Sequence, residues 1–159
     1  EWSLHYRFHF HRDHSRSASM SHVITIKVRG YHLDLYRHVN NARYLEFLEE
    51  ARWSFLETRS DLDVLEKSGY AFAVVNINIS YRRAAYMGEI LRINTAIQSI
   101  GQRSCVMHQL ITLEGSDTVV ASADVTFVII DTRSEKAAPL EGELRAMLER
   151  LTDEHQPGG

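Results

Sequence analysis

In "GYHLDLYRHVNNARYLEFLEEARWSFLE", Gly30 to Glu57, a carboxylate (Asp34), an imidazole (His38) and two amides (Asn40, Asn41) stand directly before a long apolar stretch. Helix capping explains part of this. Asn40 or Asn41 is a good N-cap, Asp34 suits a loop near a helix N-terminus, and His38 suits a surface. A cap needs one residue, however, and neither asparagine has a Glu or Gln three residues later to form a capping box. Chemistry accounts for the cluster as a whole. A helix N-terminus offers unpaired N–H groups and a positive dipole end, which polarise a carbonyl and stabilise an oxyanion. A carboxylate a few residues upstream can attack that carbonyl or take a proton from the water that attacks it. These ingredients suit hydrolysis of an activated acyl group. The sequence carries no Gly-x-Ser-x-Gly elbow, no His-Glu-x-x-His and no paired cysteines, which disfavours serine and zinc hydrolases.

The elements that must position this cluster follow from periodicity. Ile24, Ile26 and Val28 alternate with Thr25, Lys27 and Arg29, a strand of period two. From Ala42 to Glu57, Tyr44, Leu45, Leu48, Ala51, Phe55 and Leu56 recur at helical spacing. Phe47 and Trp53 widen the apolar surface, which predicts a helix almost surrounded by protein. Four strands follow, at 72–82, 89–100, 103–113 and 118–130. Turns carrying Gly101 and Gly115 imply antiparallel hairpins between the last three. "LEGELRAMLERL" predicts a short C-terminal helix. The order excludes regular βαβ alternation, and the expected fold class is α+β, an antiparallel sheet curled around one apolar helix. The two edges of such a sheet need cover, and dimerisation through an edge strand supplies it.

The chain has 159 residues, 44% apolar and 25% charged, with a formal net charge of −3. This is ordinary for a soluble globular protein and gives no general attraction to nucleic acid or anionic membrane. One cysteine, Cys105, set among apolar residues, reads as a buried filler; a reducing compartment, the cytoplasm, is expected. No transmembrane run or signal peptide is visible. Residues 1–19 hold four of the nine histidines and a small polar spacer and read as an irregular leader or tail. Metal binding through His9, His11 and His14 is the weaker reading. One domain is expected over 20–152, with a frayed tail at 153–159.

The segment from Asp34 to Tyr44, "DLYRHVNNARY", followed by "LEFLEEAR", resembles the signature of the 4-hydroxybenzoyl-CoA thioesterase group of the hotdog superfamily. "VRGYHLD", "FAVVNINISYRR" and "LEGELR" extend the likeness from Val23 to about Leu151, in particular to the bacterial long-chain acyl-CoA thioesterase III (FadM-type) branch. The resemblance implies a hotdog-folded acyl-CoA thioesterase that works without metal or cofactor and builds its sites at a homodimer interface, the dimers often pairing into tetramers. It implies that Asp34 is the catalytic carboxylate and that the backbone N–H of Asn41 donates to the oxyanion. Tyr44 matches a position lining the site, and His38 and Asn40 match its "HVNN" segment.

Other residues are weighed against plainer roles. Glu46, Glu49 and Glu50 read as the polar stripe of the helix rather than catalytic acids. Arg82 and Arg83 follow a strand and suit either the phosphates of coenzyme A or a solvated loop. Asn76 and Asn78 lie on the strand face opposite Ile77 and suit a pantetheine arm or a neighbouring subunit. Two other functions share the fold: a non-catalytic acyl-CoA sensor and an enoyl-CoA hydratase or dehydratase. No helix-turn-helix pattern supports a DNA-binding sensor. Asp34 and His38 are four apart, one short of the hydratase spacing, and the hydratase Asn-Pro is missing.

Overall fold

The computed structural model describes residues 22–59 and 62–152. The expectations placed on residues 1–19, including His9, His11 and His14, and on 153–159 lie outside the described residues. Strand β1 (His22–Lys27) alternates between half-buried and exposed positions, as its period-two pattern requires. Helix α1 (Arg43–Arg59) follows, then a short helix α2 (Leu62–Lys67). Next come β2 (Tyr70–Tyr81), β3 (Ile90–Ile100), β4 (Cys105–Leu113) and β5 (Val119–Asp131). A two-residue strand β6 (Lys136–Ala137) and helix α3 (Gly142–Thr152) are the last of the described elements.

The strands form one antiparallel sheet in the order β1-β3-β4-β5-β2, with β6 paired to β5. The hairpins expected at Gly101 and Gly115 are present, joining β3 to β4 and β4 to β5. Gly115 has φ +77, a conformation glycine adopts without a Cβ penalty. At Gly101 a Cβ would stand 3.1 Å from the Ser104 carbonyl oxygen. Strand β2 pairs with β5 rather than with its sequence neighbour β3, which leaves β1 and β2 as the sheet edges among the described residues. A bulge between Val74 and Asn76 breaks the expected alternation of β2 and leaves Val74 and Val75 both exposed.

Helix α1 buries Tyr44, Phe47, Leu48, Ala51, Phe55 and Leu56 in the core, against Leu91, Ile93, Met107, Ile111 and Ile129 of the sheet. Each fully buried side chain of this size contributes about 1.5–3 kcal/mol of hydrophobic stabilisation. Gln109 of β4 is fully buried and polar. Its Nε2 donates to the Leu48 carbonyl and to Thr95 Oγ1, both at 3.0 Å, while its Oε1 accepts from Arg52 at 3.1 Å. This node ties the middle of α1 to the sheet and offsets the cost of burying an amide.

The helix is less enclosed than its composition predicts. Leu45 is 39% and Trp53 49% exposed. Trp53 lines a cavity of about 650 Å³ with Phe72 and Val74 of edge strand β2. Among the described residues no strand lies beyond β2 to cover that side. No helix among the described residues is long and apolar enough to cross a membrane.

Candidate active site

The segment between β1 and α1 folds back on itself as a tight loop. Leu33 pairs with Val39, the Asp34 N–H donates to the His38 carbonyl at 3.0 Å, and the Arg37 N–H donates to the Asp34 carbonyl at 3.0 Å. Arg37 closes the turn at φ 65, the left-handed residue that three-residue hairpin loops demand. That conformation costs a non-glycine residue about 1–2 kcal/mol. The loop is held from outside as well. The Val39 N–H donates to the Ala85 carbonyl at 2.9 Å, and His38 forms a bridge with Tyr86.

Asp34 stands at the base of this loop with its side chain 26% exposed. Its Oδ1 accepts the Tyr36 N–H at 2.9 Å, an Asx turn that fixes the carboxylate plane. Its Oδ2 lies 3.9 Å from His38 Nδ1, an ion-pair distance rather than a hydrogen bond. One carboxylate oxygen is thus engaged in orientation, and the other takes no hydrogen bond from a described residue. His38 itself is stacked near Tyr36 and edge-on to Tyr86, with ring centroids 6.1 and 6.5 Å away.

Beyond the loop, Asn40 is the cap. Its Oδ1 accepts the Ala42 N–H at 3.0 Å and its carbonyl accepts the Arg43 N–H at 2.9 Å. Capping by Asn40 leaves Asn41 unused for that purpose. Among the described residues no acceptor reaches the Asn41 N–H, while its carbonyl accepts the Tyr81 hydroxyl at 2.9 Å. An N–H without an acceptor among the described residues, two residues before a 17-residue helix, is the kind of donor that can stabilise an oxyanion.

Tyr44 lies beneath this point rather than in the open. It is 3% exposed, and its ring packs edge-on against Tyr81 (5.4 Å) and Phe47 (6.0 Å). Burial pushes its phenol up to about 12, with the Ala85 backbone N–H pulling the other way. It therefore stays neutral and supports the helix start from below. The two arginines diverge. Arg83 Nη1 donates to both oxygens of Glu89 at 2.9 Å, and its guanidinium lies 5.6 Å from the Tyr86 ring centre. Arg82 is exposed and forms no ion pair with a described residue.

Of the other candidates, Glu46 accepts from Arg43 on the exposed face of α1, and Glu49 and Glu50 are exposed. Asn76 and Asn78 are exposed on β2. Cys105 is fully buried, and burial pushes its thiol up to about 12, far from a reactive thiolate. Sequence reasoning did not find Tyr81, His32 or Glu89. Each acts through a partner distant in sequence or through a backbone group, and neither leaves a local motif.

The sequence model of the thioesterase-like superfamily matches residues 28–148, from the end of β1 to the last turns of α3. The chain belongs to the thioesterase-like superfamily. Its fold is the hotdog fold, the sheet curling around α1. Among its relatives, the long-chain acyl-CoA thioesterase FadM of Escherichia coli (strain K12) is 54% identical over 126 residues, 79% of this chain and 96% of that protein. The crystal structure of YbaW, a probable thioesterase from Escherichia coli, superposes with a TM-score of 0.79 at 52% identity, covering 82% of this chain and 98% of that one. The acyl-CoA thioesterase YbgC of Haemophilus influenzae is 27% identical over 115 residues, 71% of this chain and 83% of that protein. The matched family region contains the Asp34 loop, the Asn40 cap, Asn41 and both arginines.

Proposed function

We propose that this thioesterase-superfamily chain hydrolyses long-chain fatty acyl-CoA to free fatty acid and coenzyme A, with Asp34 as the reacting carboxylate. The observation that carries the substrate class is the 54% identity to FadM across nearly all of that protein. The Asp34 carboxylate, whose Oδ2 takes no hydrogen bond from a described residue, and the Asn41 N–H, which has no acceptor among the described residues, support the chemistry. The thioester carbonyl oxygen accepts the Asn41 N–H. Water attacks the carbonyl carbon while Asp34 takes its proton, the C–S bond breaks, and the proton passes to the departing thiolate. Direct attack by Asp34, giving an anhydride that water then cleaves, uses the same groups. His38 and Asn40 shape the wall around the carbonyl, and buried Tyr44 backs it from the core. Arg82 meets the phosphates of coenzyme A, and Arg83 supports it from its pairing with Glu89. Each acyl methylene buried against apolar side chains adds about 0.8 kcal/mol to binding.

The working unit in this reading is a homodimer or homotetramer in the cytoplasm. The free edge of β2, its exposed Val74, Val75 and Tyr81, and exposed Trp53 on α1 together support cover by a second copy. Incubation with a long-chain acyl-CoA and, separately, an enoyl-CoA tests the reaction class. Thiol release without hydration is expected. Hydration of the enoyl substrate, or tight binding of acyl-CoA with no thiol released, would replace this reading with the hydratase or the sensor.

A further inference from the structure

His32 lies two residues before Asp34 and is 7% exposed, one of few buried polar side chains among the described residues. Its ring and backbone reach three separate parts of the site. The ring Nδ1 accepts the Arg29 N–H at 2.9 Å, where the chain leaves β1. The carbonyl of His32 accepts the Asn40 N–H at 3.0 Å, joining the two stems of the Asp34 loop. The ring also packs edge-on against Phe47 of α1, with centroids 4.9 Å apart, and against Tyr31 at 4.3 Å. The backbone of His32 thus joins the stems of the Asp34 loop, while its ring ties that loop to the Arg29 N–H and to Phe47 of α1, the helix that begins two residues after Asn41.

An Nδ1 that accepts a hydrogen bond carries no proton, so the ring is the neutral tautomer with its proton on Nε2. Protonation would place two N–H groups face to face and leave the Arg29 N–H without its acceptor. We infer that His32 is a positioning residue, which holds Asp34 in register with the Asn41 N–H only while its ring is neutral. The charged groups around the ring bear on this. Arg29 at the end of β1 and Arg43 on α1 oppose a cation there, and Glu46 on α1 favours one. Tyr31, also titratable, contacts the ring edge. Burial is the largest influence, and together they hold the imidazole below its ordinary value. The inference rests on the thioesterase reading for its kinetic consequence but not for its geometry.

The test uses the full chain, with thiol release from a long-chain acyl-CoA followed as kcat and KM against pH. His32→Asn places an acceptor oxygen near the Nδ1 position and cannot be protonated. Its neutral-pH kcat should stay within about 5-fold of wild type, and it should lose the part of the acid limb that His32 protonation gives wild type below the ordinary imidazole range. His32→Phe keeps the ring packing and removes the acceptor. Its kcat should fall by about 10–10²-fold at every pH, with KM within about 2-fold. Superimposable acid limbs for wild type and His32→Asn, or a wild-type kcat in His32→Phe, would overturn the inference. Long-range proton–nitrogen NMR on the histidine rings reads the geometry without catalysis. The expected signature is a neutral Nε2–H ring titrating below about 6.5, and an Nδ1–H ring, or a midpoint above that value, contradicts it. Wild type that releases no thiol yet shows the expected ring signature would defeat the thioesterase reading and leave the anchoring geometry standing.

Discussion

The Tyr81 hydroxyl, at the far end of β2, donates to the Asn41 carbonyl 2.9 Å away, across 40 residues of sequence. This bond ties the sheet edge to the peptide unit that follows the proposed oxyanion donor. Tyr81 also packs edge-on against buried Tyr44, so the helix start is held by a ring pair and a hydrogen bond together. Tyr81→Phe keeps the ring and removes the bond. Thermal unfolding should report a loss of about 0.5–1.5 kcal/mol. The kcat should fall by roughly 3–10-fold, less than the ~10²-fold of a full ångström misplacement. An unchanged kcat would show that the helix start is positioned without it.

The bulge in β2 presents Val74 and Val75 side by side at a free sheet edge. A charge there would have to be desolvated if a second copy covers the edge. Light scattering at micromolar concentration should find a dimer or tetramer, and Val75→Asp should shift it toward monomer and lower thiol release in parallel. A monomeric wild type, or a Val75→Asp variant with unaltered assembly, would contradict the shared-edge account.

Arg82 and Arg83 are adjacent in sequence and should behave differently. Arg83→Ala removes the ion pair with Glu89 and should act mainly on stability. Arg82→Ala should raise KM for acyl-CoA by up to about 5-fold, the range of an exposed charge contact. It should leave KM unchanged for a pantetheine thioester lacking the nucleotide phosphates. Equal effects on both substrates would remove Arg82 from phosphate recognition.

His22 Nε2 lies 2.7 Å from Ser54 Oγ on α1. Burial, and after it the charge of Arg59, lowers the pKa of this ring below 6.5. The unfolded chain therefore takes up more protons than the folded one as the medium acidifies. Stability from His22 is complete above its unfolded value and is lost as pH falls through its lower folded value. Melting temperature should drop as the pH falls through the ordinary imidazole value of about 6.5 and below it, and His22→Gln should reduce that slope without abolishing it, because His32 shares the sign. Identical slopes in the two proteins would exclude His22 as a contributor.

The main elements are written in local periodicity. Alternation along β1 and through β3, β4 and β5 survives into the structure, and the apolar repeat of α1 matches its buried face. Helix α2 offers six residues and one buried side chain, Leu65, too little for a periodic signal. The pairing of β2 with β5 is non-local and has no turn to announce it. The bulge at Val75 also defeats strict alternation. At the candidate site, residue types and spacing pick out Asp34 and the two asparagines. Which asparagine caps depends on a 3.0 Å bond from Asn40 to the Ala42 N–H, which composition cannot distinguish from the same bond at Asn41. The commitment of Arg83 to Glu89, and the anchoring by Tyr81 and His32, exist only once the chain is folded.

The measurement closest to the central claim is thiol release from a long-chain acyl-CoA by Asp34→Asn, with acyl-CoA binding followed in parallel. The amide keeps the shape of the side chain and an oxygen for the Tyr36 N–H, but it is neither a base for water nor an acyl nucleophile. Turnover should fall by roughly 10²–10⁴-fold while binding persists. An Asp34→Asn protein that turns over substrate at close to the wild-type rate would contradict the assignment of the chemistry to Asp34.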